Sequence, residues 1–186
     1  MTKTIFVAGD LHIPSRAAML HPTFQLVLES KKWDYIVLTG DYTIPAVVKH
    51  FELYLKKKDN LIACKGNMDQ FPLPDKPTFE IDGIKFGVYH GTDISPRGDI
   101  KQLKKVAEEL EVKVLFTGHS HKCQFNFDSE TVILNPGTSS GASGGSYWTV
   151  DTGIITISIL QNELIINRFF INNQGKIKSE TRKIDL

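Results

Sequence analysis

One feature constrains the fold of this chain more than any other: several short apolar segments each end at a glycine beside a polar residue. The first such segment, Thr4–Ala8, is followed directly by Gly9-Asp10-Leu11-His12. The corresponding ends of the later segments are Gly40-Asp41, Gly66-Asn67, His90-Gly91 and Gly118-His119-Ser120-His121. Short apolar runs of this kind are typical of buried strands in a parallel sheet. Because ligand sites in open α/β sheets lie beyond the carboxyl ends of the strands, we expect these polar residues to converge.

The segments between the first apolar runs predict helices, and therefore a βαβαβ arrangement. Pro22 and Pro45 each suit the first turn of a helix, and apolar residues follow both at three- or four-residue spacing. Further along, Asp82-Gly83 lies between the apolar runs Thr78–Ile81 and Ile84–Tyr89. This dipeptide is the strongest short-range hairpin signal, so these runs predict two antiparallel strands.

The second half of the chain reads as β-rich. Asp99 is placed to cap a helix that leads into a strand over Val112–Phe116. Later strands are predicted over Gln124–Phe127, Thr131–Leu134, the alternating run Ile154–Leu160, and Leu164–Ile171. We expect the Gly/Ser-rich run Pro136–Ser146 to form a surface loop near the site. The charged tail Asn172–Leu186 predicts a solvated strand and chain end.

Length and composition limit the class of protein. A chain of 186 residues that is 41% hydrophobic predicts a single domain, 1–186, with one packed core. The net charge of +1 gives no basic excess, so we expect no nucleic-acid partner. No apolar run approaches the roughly 18 residues of a membrane span and no leader pattern opens the chain, so we expect a cytoplasmic protein without membrane insertion. Cys64 and Cys123 lack CxxC spacing, which predicts neither a disulfide framework nor a zinc finger.

The residue types at the strand ends predict a centre for transition metals. Taken alone, a residue such as Asp41 or His90 is more often a helix cap or a hydrogen-bonded core residue than a metal ligand; their joint occurrence favours ligation. Carboxylate, amide and imidazole ligands together suit Mn, Zn or Fe, whereas an all-oxygen set favours Mg or Ca. Two such cations about 3.5–4 Å apart generate hydroxide for attack on phosphorus. The candidate ligands are Asp10, His12, Asp41, Asn67, His90, His119 and His121.

In this order, the motifs GD-x-H, GD, GN-x-D, H-G and GH-x-H resemble the calcineurin-like metallophosphoesterases, which implies a four-layer α/β/β/α sandwich. Gly9–Pro14, Pro96–Asp99, Gly118–Lys122 and Asn135–Thr138 are similar to the vacuolar protein sorting-associated protein 29 family, the phosphoesterase-fold subunits of retromer. The resemblance implies two metal sites that share Asp41 as a bridge. The first would comprise Asp10, His12, Asp41 and His121, and the second Asp41, Asn67, His90 and His119.

Two departures from the family pattern bear on function. Met68 stands where many metallophosphoesterases have a histidine, and a thioether cannot transfer a proton. Loss of a general acid commonly removes roughly 10²–10⁴-fold in rate. In the loop that retromer subunits present to their large partner, Ser95 and Arg97 occupy positions that are apolar in the family, which leaves Ile94 as the apolar candidate.

The resemblance therefore implies two functions of different classes. One is a scaffold in a membrane-trafficking, cargo-sorting complex, peripheral on membranes through its partners. In that function Ile94 would contact a helical-solenoid, retromer-type large subunit, while Ile157 and Phe170 would receive hydrophobic peptides. The other is a phosphodiesterase that hydrolyses phosphate esters with two divalent transition metals. A nucleotide-binding fold without metal is disfavoured, because no G-x-G-x-x-G or P-loop follows the first strand.

Overall fold

The computed structural model describes residues 2–144, 150–161, 163–172 and 174–185 of the chain. Its α-helices are α1 (Pro22–Glu29), α2 (Pro45–Glu52) and α3 (Ile100–Glu109), and a 3₁₀ turn spans Lys58–Asn60. Its strands are β1 (Lys3–Ala8), β2 (Tyr35–Leu38), β3 (Leu61–Ala63), β4 (Thr78–Ile81), β5 (Ile84–Tyr89), β6 (Val114–Thr117), β7 (Cys123–Phe127), β8 (Val132–Pro136), β9 (Gly153–Leu160), β10 (Glu163–Ile171) and β11 (Ile177–Asp185).

The strands form two sheets, and each contains a parallel portion. The order in the six-stranded sheet is β11-β10-β9-β1-β2-β3, with β1, β2 and β3 mutually parallel. The order in the five-stranded sheet is β4-β5-β6-β8-β7, with β5, β6 and β8 parallel. The carboxyl ends of β1, β2 and β3 therefore share one edge, and those of β5 and β6 share another.

The predicted helix starts and the first hairpin are confirmed. Pro22 and Pro45 occupy the first turns of α1 and α2. The Asp99 carboxylate accepts the Gln102 N–H at 2.9 Å and so caps α3. Residues Thr78–Ile81 and Ile84–Tyr89 pair antiparallel around Asp82-Gly83, as the turn dipeptide indicated.

Apolar side chains form three separate layers of packing. The central layer lies between the sheets and includes Val7 and Ile157 of one sheet and Phe116 of the other. A second layer, which includes Phe24, joins the six-stranded sheet to α1 and α2. A third, which includes Leu103, joins the five-stranded sheet to α3. This order of helices, sheet, sheet and helix is the expected four-layer α/β/β/α sandwich.

Strand β9 differs from its expected alternating pattern. Residues 153–157 are all buried, because β9 lies inside its sheet and both of its faces are covered. Ile155 and Ile157 face the other sheet, whereas Ile154 packs in the layer beside α1 and α2.

The charged tail forms the edge strand β11, which is mostly exposed, as predicted. Among the described residues, no helix is long and apolar enough to cross a membrane.

Candidate metal centre

The loops that follow the parallel strands have an unusual backbone. Five of the seven candidate ligands adopt positive φ angles between 47° and 66°; they are Asp10, His12, Asp41, His119 and His121. Non-glycine residues rarely adopt this left-handed region, and such residues concentrate at functional sites. Hydrogen bonds join two of the loops directly, because Asp10 N–H donates to the Gly40 carbonyl at 3.1 Å and His12 N–H to the Asp41 carbonyl at 2.8 Å.

The glycines before the ligands allow these loops to approach closely. A Cβ on Gly66 would lie 2.2 Å from both the amide nitrogen and Oδ1 of Asp41. A Cβ on Gly40, whose φ is +101°, would lie 2.4 Å from Nδ1 of His90. Gly66 is thus required by space alone, and Gly40 by space as well as by backbone conformation.

The four residues expected to hold the first metal form one buried group. One ligand atom from each of Asp10, His12, Asp41 and His121 lies within 4.8 Å of the others. His12 Nε2 lies 3.4 Å from Asp41 Oδ2, and His121 Nε2 lies 3.4 Å from Asp10 Oδ1. The two imidazole Nε2 atoms are 3.1 Å apart. Two carboxylates and two imidazoles at these separations form a donor set that suits a divalent transition metal.

Three of the four residues expected at the second site also converge. His90 Nε2 lies 3.5 Å from Asp41 Oδ2, the same oxygen that faces His12. The rings of His90 and His119 are 5.0 Å apart between centroids, and both residues are buried. Asn67, in contrast, lies in an exposed turn beside Asp41. Asp41 Oδ2 is therefore shared between the two groups of imidazoles.

Backbone carbonyls fix the orientation of two imidazoles. His90 Nδ1 lies 2.7 Å from the Thr39 carbonyl, and His121 Nδ1 lies 3.0 Å from the Ala142 carbonyl. Because a carbonyl only accepts, each Nδ1 carries the proton and donates it. Nε2 of each ring therefore faces the carboxylates, and a hydrogen bond from Nδ1 to a carbonyl is the usual arrangement around metal-ligating histidines.

Burial and the neighbouring charges shift the pKa values of the centre. Burial raises the pKa of Asp10 to about 7 and lowers those of His12 and His119 to about 4. Burial also opposes ionisation of Asp41, but the adjacent His90 ring, whose Nε2 lies 3.5 Å from Asp41 Oδ2, outweighs it and lowers the pKa of Asp41 to about 2. At neutral pH the Asp41 carboxylate is therefore ionised and the His12 and His119 imidazoles are neutral, which are the protonation states that metal ligation requires. Burial disfavours the charged form of His90, but the Asp41 and Asp10 carboxylates outweigh it and raise its pKa to about 9, so this ring would release a proton when a metal binds.

Unpaired buried atoms mark where a cation fits. Asp10 Oδ2 and His90 Nε2 are both fully buried and have no hydrogen-bond partner among the described residues. A buried carboxylate oxygen without a partner is costly in a protein interior, and a cation would satisfy it. The donor chemistry, the burial and these unpaired atoms therefore fit a transition metal at the first group of residues.

Comparison with known proteins agrees with this chemistry. Residues 4–154 match the model of the calcineurin-like phosphoesterase superfamily domain. The chain belongs to the calcineurin-like phosphoesterase superfamily. A probable metallophosphoesterase of Methanocaldococcus jannaschii is 36% identical over 137 residues, which cover 74% of this chain and 68% of that protein. The resemblance that the motifs indicated is confirmed for the superfamily, and the group of Asp10, His12, Asp41 and His121 is the candidate metal site of this phosphoesterase domain.

Solved structures extend the similarity of this phosphoesterase domain to the whole chain. Vacuolar protein sorting 29 from Cryptosporidium parvum has a TM-score of 0.91 at 23% identity and covers 100% of this chain and 99% of that one. Wild-type Vps29 of Entamoeba histolytica complexed with Zn²⁺ gives 0.85 at 25% identity, covering 97% and 98%. Chaetomium thermophilum Vps29 with a bound cyclic peptide gives 0.78 at 22% identity, covering 99% and 96%. The Vps29-type fold predicted from the motifs is thereby confirmed.

Sequence reasoning did not assign the residues that support the ligand loops of the phosphoesterase. Hydroxyls of the loop after β8 bind the loop after β1: Thr138 Oγ1 donates to the Asp10 carbonyl at 2.8 Å, and Ser140 Oγ to the Leu11 carbonyl at 2.7 Å. The expected surface loop Pro136–Ser146 does lie beside the site, but only residues 141 and 143 of it are exposed, whereas 136–139 and 142 are buried; residues 145 and 146 lie outside the described residues. Its Asn-Pro-Gly-Thr start was visible as a motif, but nothing in the sequence indicated which loop it binds.

The expected partner-contacting residues lie in different environments. Ile94 is only 7% exposed and packs with Leu103 beneath α3, and Ile157 is 1% exposed between the two sheets. The prediction that these two side chains face partners is therefore wrong, because both are needed to fill the core. Phe170 is half-buried at the surface, with the guanidinium carbon of Arg168 4.2 Å from its ring centroid.

Proposed function

We propose that this phosphoesterase hydrolyses phosphodiesters at a centre of two divalent transition metals, Mn, Zn or Fe. The observation that carries the proposal is the position of Asp41 Oδ2, which faces His12 at 3.4 Å on one side and His90 at 3.5 Å on the other. A single carboxylate oxygen between two imidazole groups is the arrangement that a bridging ligand requires. The 36% identical archaeal relative, named a probable metallophosphoesterase, supports the same reaction class.

Seven residues would hold the two cations. Asp10, His12 and His121 would complete the first site, and His90, His119 and Asn67 the second, with Asp41 shared. Such cations, when bound, lower the pKa of water and offset the charge of phosphoryl oxygens. The contribution of the chain is to keep these side chains preorganised, and the hydrogen bonds of His90 to Thr39 and of His121 to Ala142 hold each ring in place.

Two arginines supply positive charge that favours an anionic substrate. Arg16 Nη1 donates to the Ser143 carbonyl at 3.1 Å, in the same loop whose Ala142 carbonyl holds His121. After burial itself, the charge of Arg16 further lowers the pKa of His12, and that of Arg97 lowers the pKa of His119. Both guanidinium groups therefore lie within electrostatic reach of the centre, where they would attract the phosphate of an ester.

Metal content tests the proposal. Purified protein loaded with Mn²⁺ and passed through a desalting column should retain two ions per chain by elemental analysis. Asp41→Ala should reduce both sites, Asp10→Ala the first and His119→Ala the second. His50 is an exposed histidine on α2, so His50→Ala is the matched control that should retain both ions. Folded wild-type protein without tightly bound Mn²⁺ or Zn²⁺ would refute the proposal.

Leaving-group dependence tests the catalytic part. Met68 lies in the turn beside Asp41 and its side chain has no proton to give, so an alkoxide would have to leave without a general acid. We expect Mn²⁺-stimulated hydrolysis of an aryl phosphodiester and little hydrolysis of an alkyl diester. Met68→His should raise the rate on the alkyl ester selectively. Equal wild-type rates on the two esters would contradict this assignment, because they would imply another proton donor.

A second candidate function is a protein-interaction scaffold in a cargo-sorting complex of the retromer type. The similarity to Vps29 over the full chain favours it, as does the cyclic peptide bound to the Chaetomium relative. In this function the chain would reach membranes only through its partners, including a helical-solenoid large subunit. Phe170 is the surviving candidate for a hydrophobic peptide, since it lies at the surface beside Arg168.

Binding measurements separate the two functions. If the scaffold function holds, affinity for a large helical-repeat partner should survive Asp41→Ala, and affinity for an apolar peptide should fall with Phe170→Ala. Leu160→Ala, at an exposed leucine of β9 in the same sheet, is a matched control. Loss of partner binding with Asp41→Ala would place recognition at the metal centre and contradict the scaffold function.

A further inference from the structure

The carboxylate of Asp69 is buried, with 2% exposure, and accepts four backbone N–H groups. Its Oδ1 accepts the amides of Tyr42 at 2.8 Å and Thr43 at 2.9 Å. Its Oδ2 accepts those of Asp41 at 3.0 Å and Gly66 at 2.8 Å. Three of these donors are consecutive residues of the loop after β2, and the fourth belongs to the loop after β3. One carboxylate thus joins the two loops that carry the expected bridging ligand and Asn67.

The conformation of the first loop depends on this arrangement. Asp41 and Thr43 have φ angles of 58° and 73°, which places both in the left-handed region, and Thr43 is β-branched. Left-handed residues of this kind turn successive N–H groups toward one point and create a concave anion site, commonly called a nest. In this chain the anion is internal, because the Asp69 carboxylate fills the nest formed by residues 41–43.

The contact between the loops is reciprocal. Met68 N–H donates to Asp41 Oδ1 at 2.8 Å, so the loop after β3 also holds the side chain of Asp41. That bond engages Oδ1 and leaves Oδ2 directed at His12 and His90. The backbone of Asp41 is therefore held by Asp69, and its carboxylate by the residue that precedes Asp69.

We propose that Asp69 is a positioning residue for the second metal, which it serves by binding the Asp41 loop to the Asn67 turn. The inference rests on the proposed two-metal centre and adds a residue that touches neither cation. It predicts a selective effect. The first site shares Asp41, and His12 N–H donates to the Asp41 carbonyl, but hydroxyls of the loop after β8 and the Ala142 carbonyl hold the segments of Asp10 and His121 independently of Asp69. The effect should therefore be larger at the second site, whose Asn67 turn Asp69 joins to the Asp41 loop.

The test compares Asp69→Asn with the wild type by titrating Mn²⁺ and following free Mn²⁺ by electron paramagnetic resonance. The amide is isosteric with the carboxylate, but its Nδ2 cannot accept the two N–H groups that Oδ2 binds. The second site is the one that His119→Ala should remove, and the first the one that Asp10→Ala should remove. In Asp69→Asn we expect the dissociation constant of the second site to rise at least tenfold and that of the first site to change less than threefold. Asp34→Asn is the matched control, because Asp34 also accepts a backbone N–H, from Thr4 at 3.0 Å, away from the centre.

The outcomes are distinct. Wild-type protein that binds a single Mn²⁺ would refute the two-metal proposal, and this inference with it. Wild-type protein that binds two, together with Asp69→Asn that binds two with unchanged constants, would overturn the role of Asp69 alone. Equal weakening of both sites, matched by Asp34→Asn, would also overturn it, because that pattern is general destabilisation.

Amide hydrogen exchange of the wild type decides the structural premise even if Asp69→Asn fails to fold. The N–H groups of Asp41, Tyr42, Thr43 and Gly66 should exchange slowly in metal-free protein, since each donates to Asp69. Exchange of the Tyr42 and Thr43 amides at the rate of an unstructured peptide would overturn the proposal. Gly66→Ala supplies a second variant that disturbs the same contact between the loops, because its Cβ would lie 2.2 Å from both the amide nitrogen and Oδ1 of Asp41; it should weaken metal binding.

Discussion

Replacing Asp10 by asparagine should stabilise the metal-free protein while it weakens metal binding. The Asp10 carboxyl is completely buried, and burial raises its pKa from 3.8 to about 7. Between those values the native state binds more protons than the unfolded state, so the stability of the metal-free wild type falls as the pH rises. Above about pH 7 the full cost of holding a buried carboxylate is present.

The magnitude follows from the size of this shift. About three pKa units at about 1.36 kcal/mol each give an upper bound of roughly 4 kcal/mol at pH 8. In the variant, Oδ1 still accepts the His119 N–H, whereas Nδ2 replaces an oxygen that has no partner among the described residues. An unpaired buried amide donor costs about 1–3 kcal/mol. We therefore expect a net gain of about 1–3 kcal/mol at pH 8, or about 2–4 °C in melting temperature for each kcal/mol.

The assay is thermal unfolding of both proteins in EDTA at pH 5 and pH 8, and again with Mn²⁺. The advantage of Asp10→Asn should be larger at pH 8, and Mn²⁺ should raise the melting temperature of the wild type much more than that of the variant. Asp34→Asn is a control that should change stability in the opposite direction. Burial opposes ionisation of Asp34, but hydrogen bonds from Lys56 and Thr4 outweigh it and lower the pKa of Asp34. This variant should therefore lose stability at pH 8. A lower melting temperature of metal-free Asp10→Asn at pH 8 would refute the reasoning.

Three further predictions concern stability. Ile94→Asp should cost several kcal/mol, because it buries an unpaired charge beneath α3, whereas Ile94→Val should cost about 0.5–1.5 kcal/mol in urea unfolding. Ser139→Ala should lower the free energy of unfolding by about 1–3 kcal/mol in the same assay, since it removes the acceptor of Gly9 N–H and the donor to the Gly153 carbonyl. A variant as stable as the wild type would show that water replaces the hydroxyl. Burial lowers the pKa of His119 to about 4, so between about pH 6.5 and pH 4 the unfolded state binds more protons than the native state. Metal-free His119→Gln should therefore lose less stability than the wild type when the pH is lowered through that range. An equal loss in the two proteins would contradict the assignment.

Local signals in the sequence were sufficient for the parts of the fold that short segments determine. The hairpin at Asp82-Gly83 and the cap at Asp99 need only their own neighbours, and both were predicted. Strand β9 was also predicted, but its burial on both faces was not, because that depends on distant elements that cover it. The polar residues at the strand ends converge as expected, since the ends of parallel strands share an edge; only Asn67 turns out to be exposed.

Side chains that support the site were harder to predict than those that form it. A ligand is recognisable by its donor chemistry, so Asp10 or His121 can be proposed from its type and place. Asp69 accepts amides from a loop 26 to 28 residues away, a pairing that no periodicity encodes. Ile94 illustrates the opposite error, because its apolar character fits a core position as well as a partner contact, and only the packing beneath α3 decides between them.

The origin of the ligands in two different sheets has a consequence for how the sandwich comes apart. Asp10, His12 and Asp41 follow strands of the six-stranded sheet, whereas His90, His119 and His121 follow strands of the five-stranded sheet. A cation held between them would be a removable cross-link that closes a loop of about one hundred residues, and closing long loops restricts the unfolded chain most. Chelation would therefore release the two sheets from each other at one rim only, so that separation of the sandwich begins at the ligand loops and proceeds toward the opposite rim.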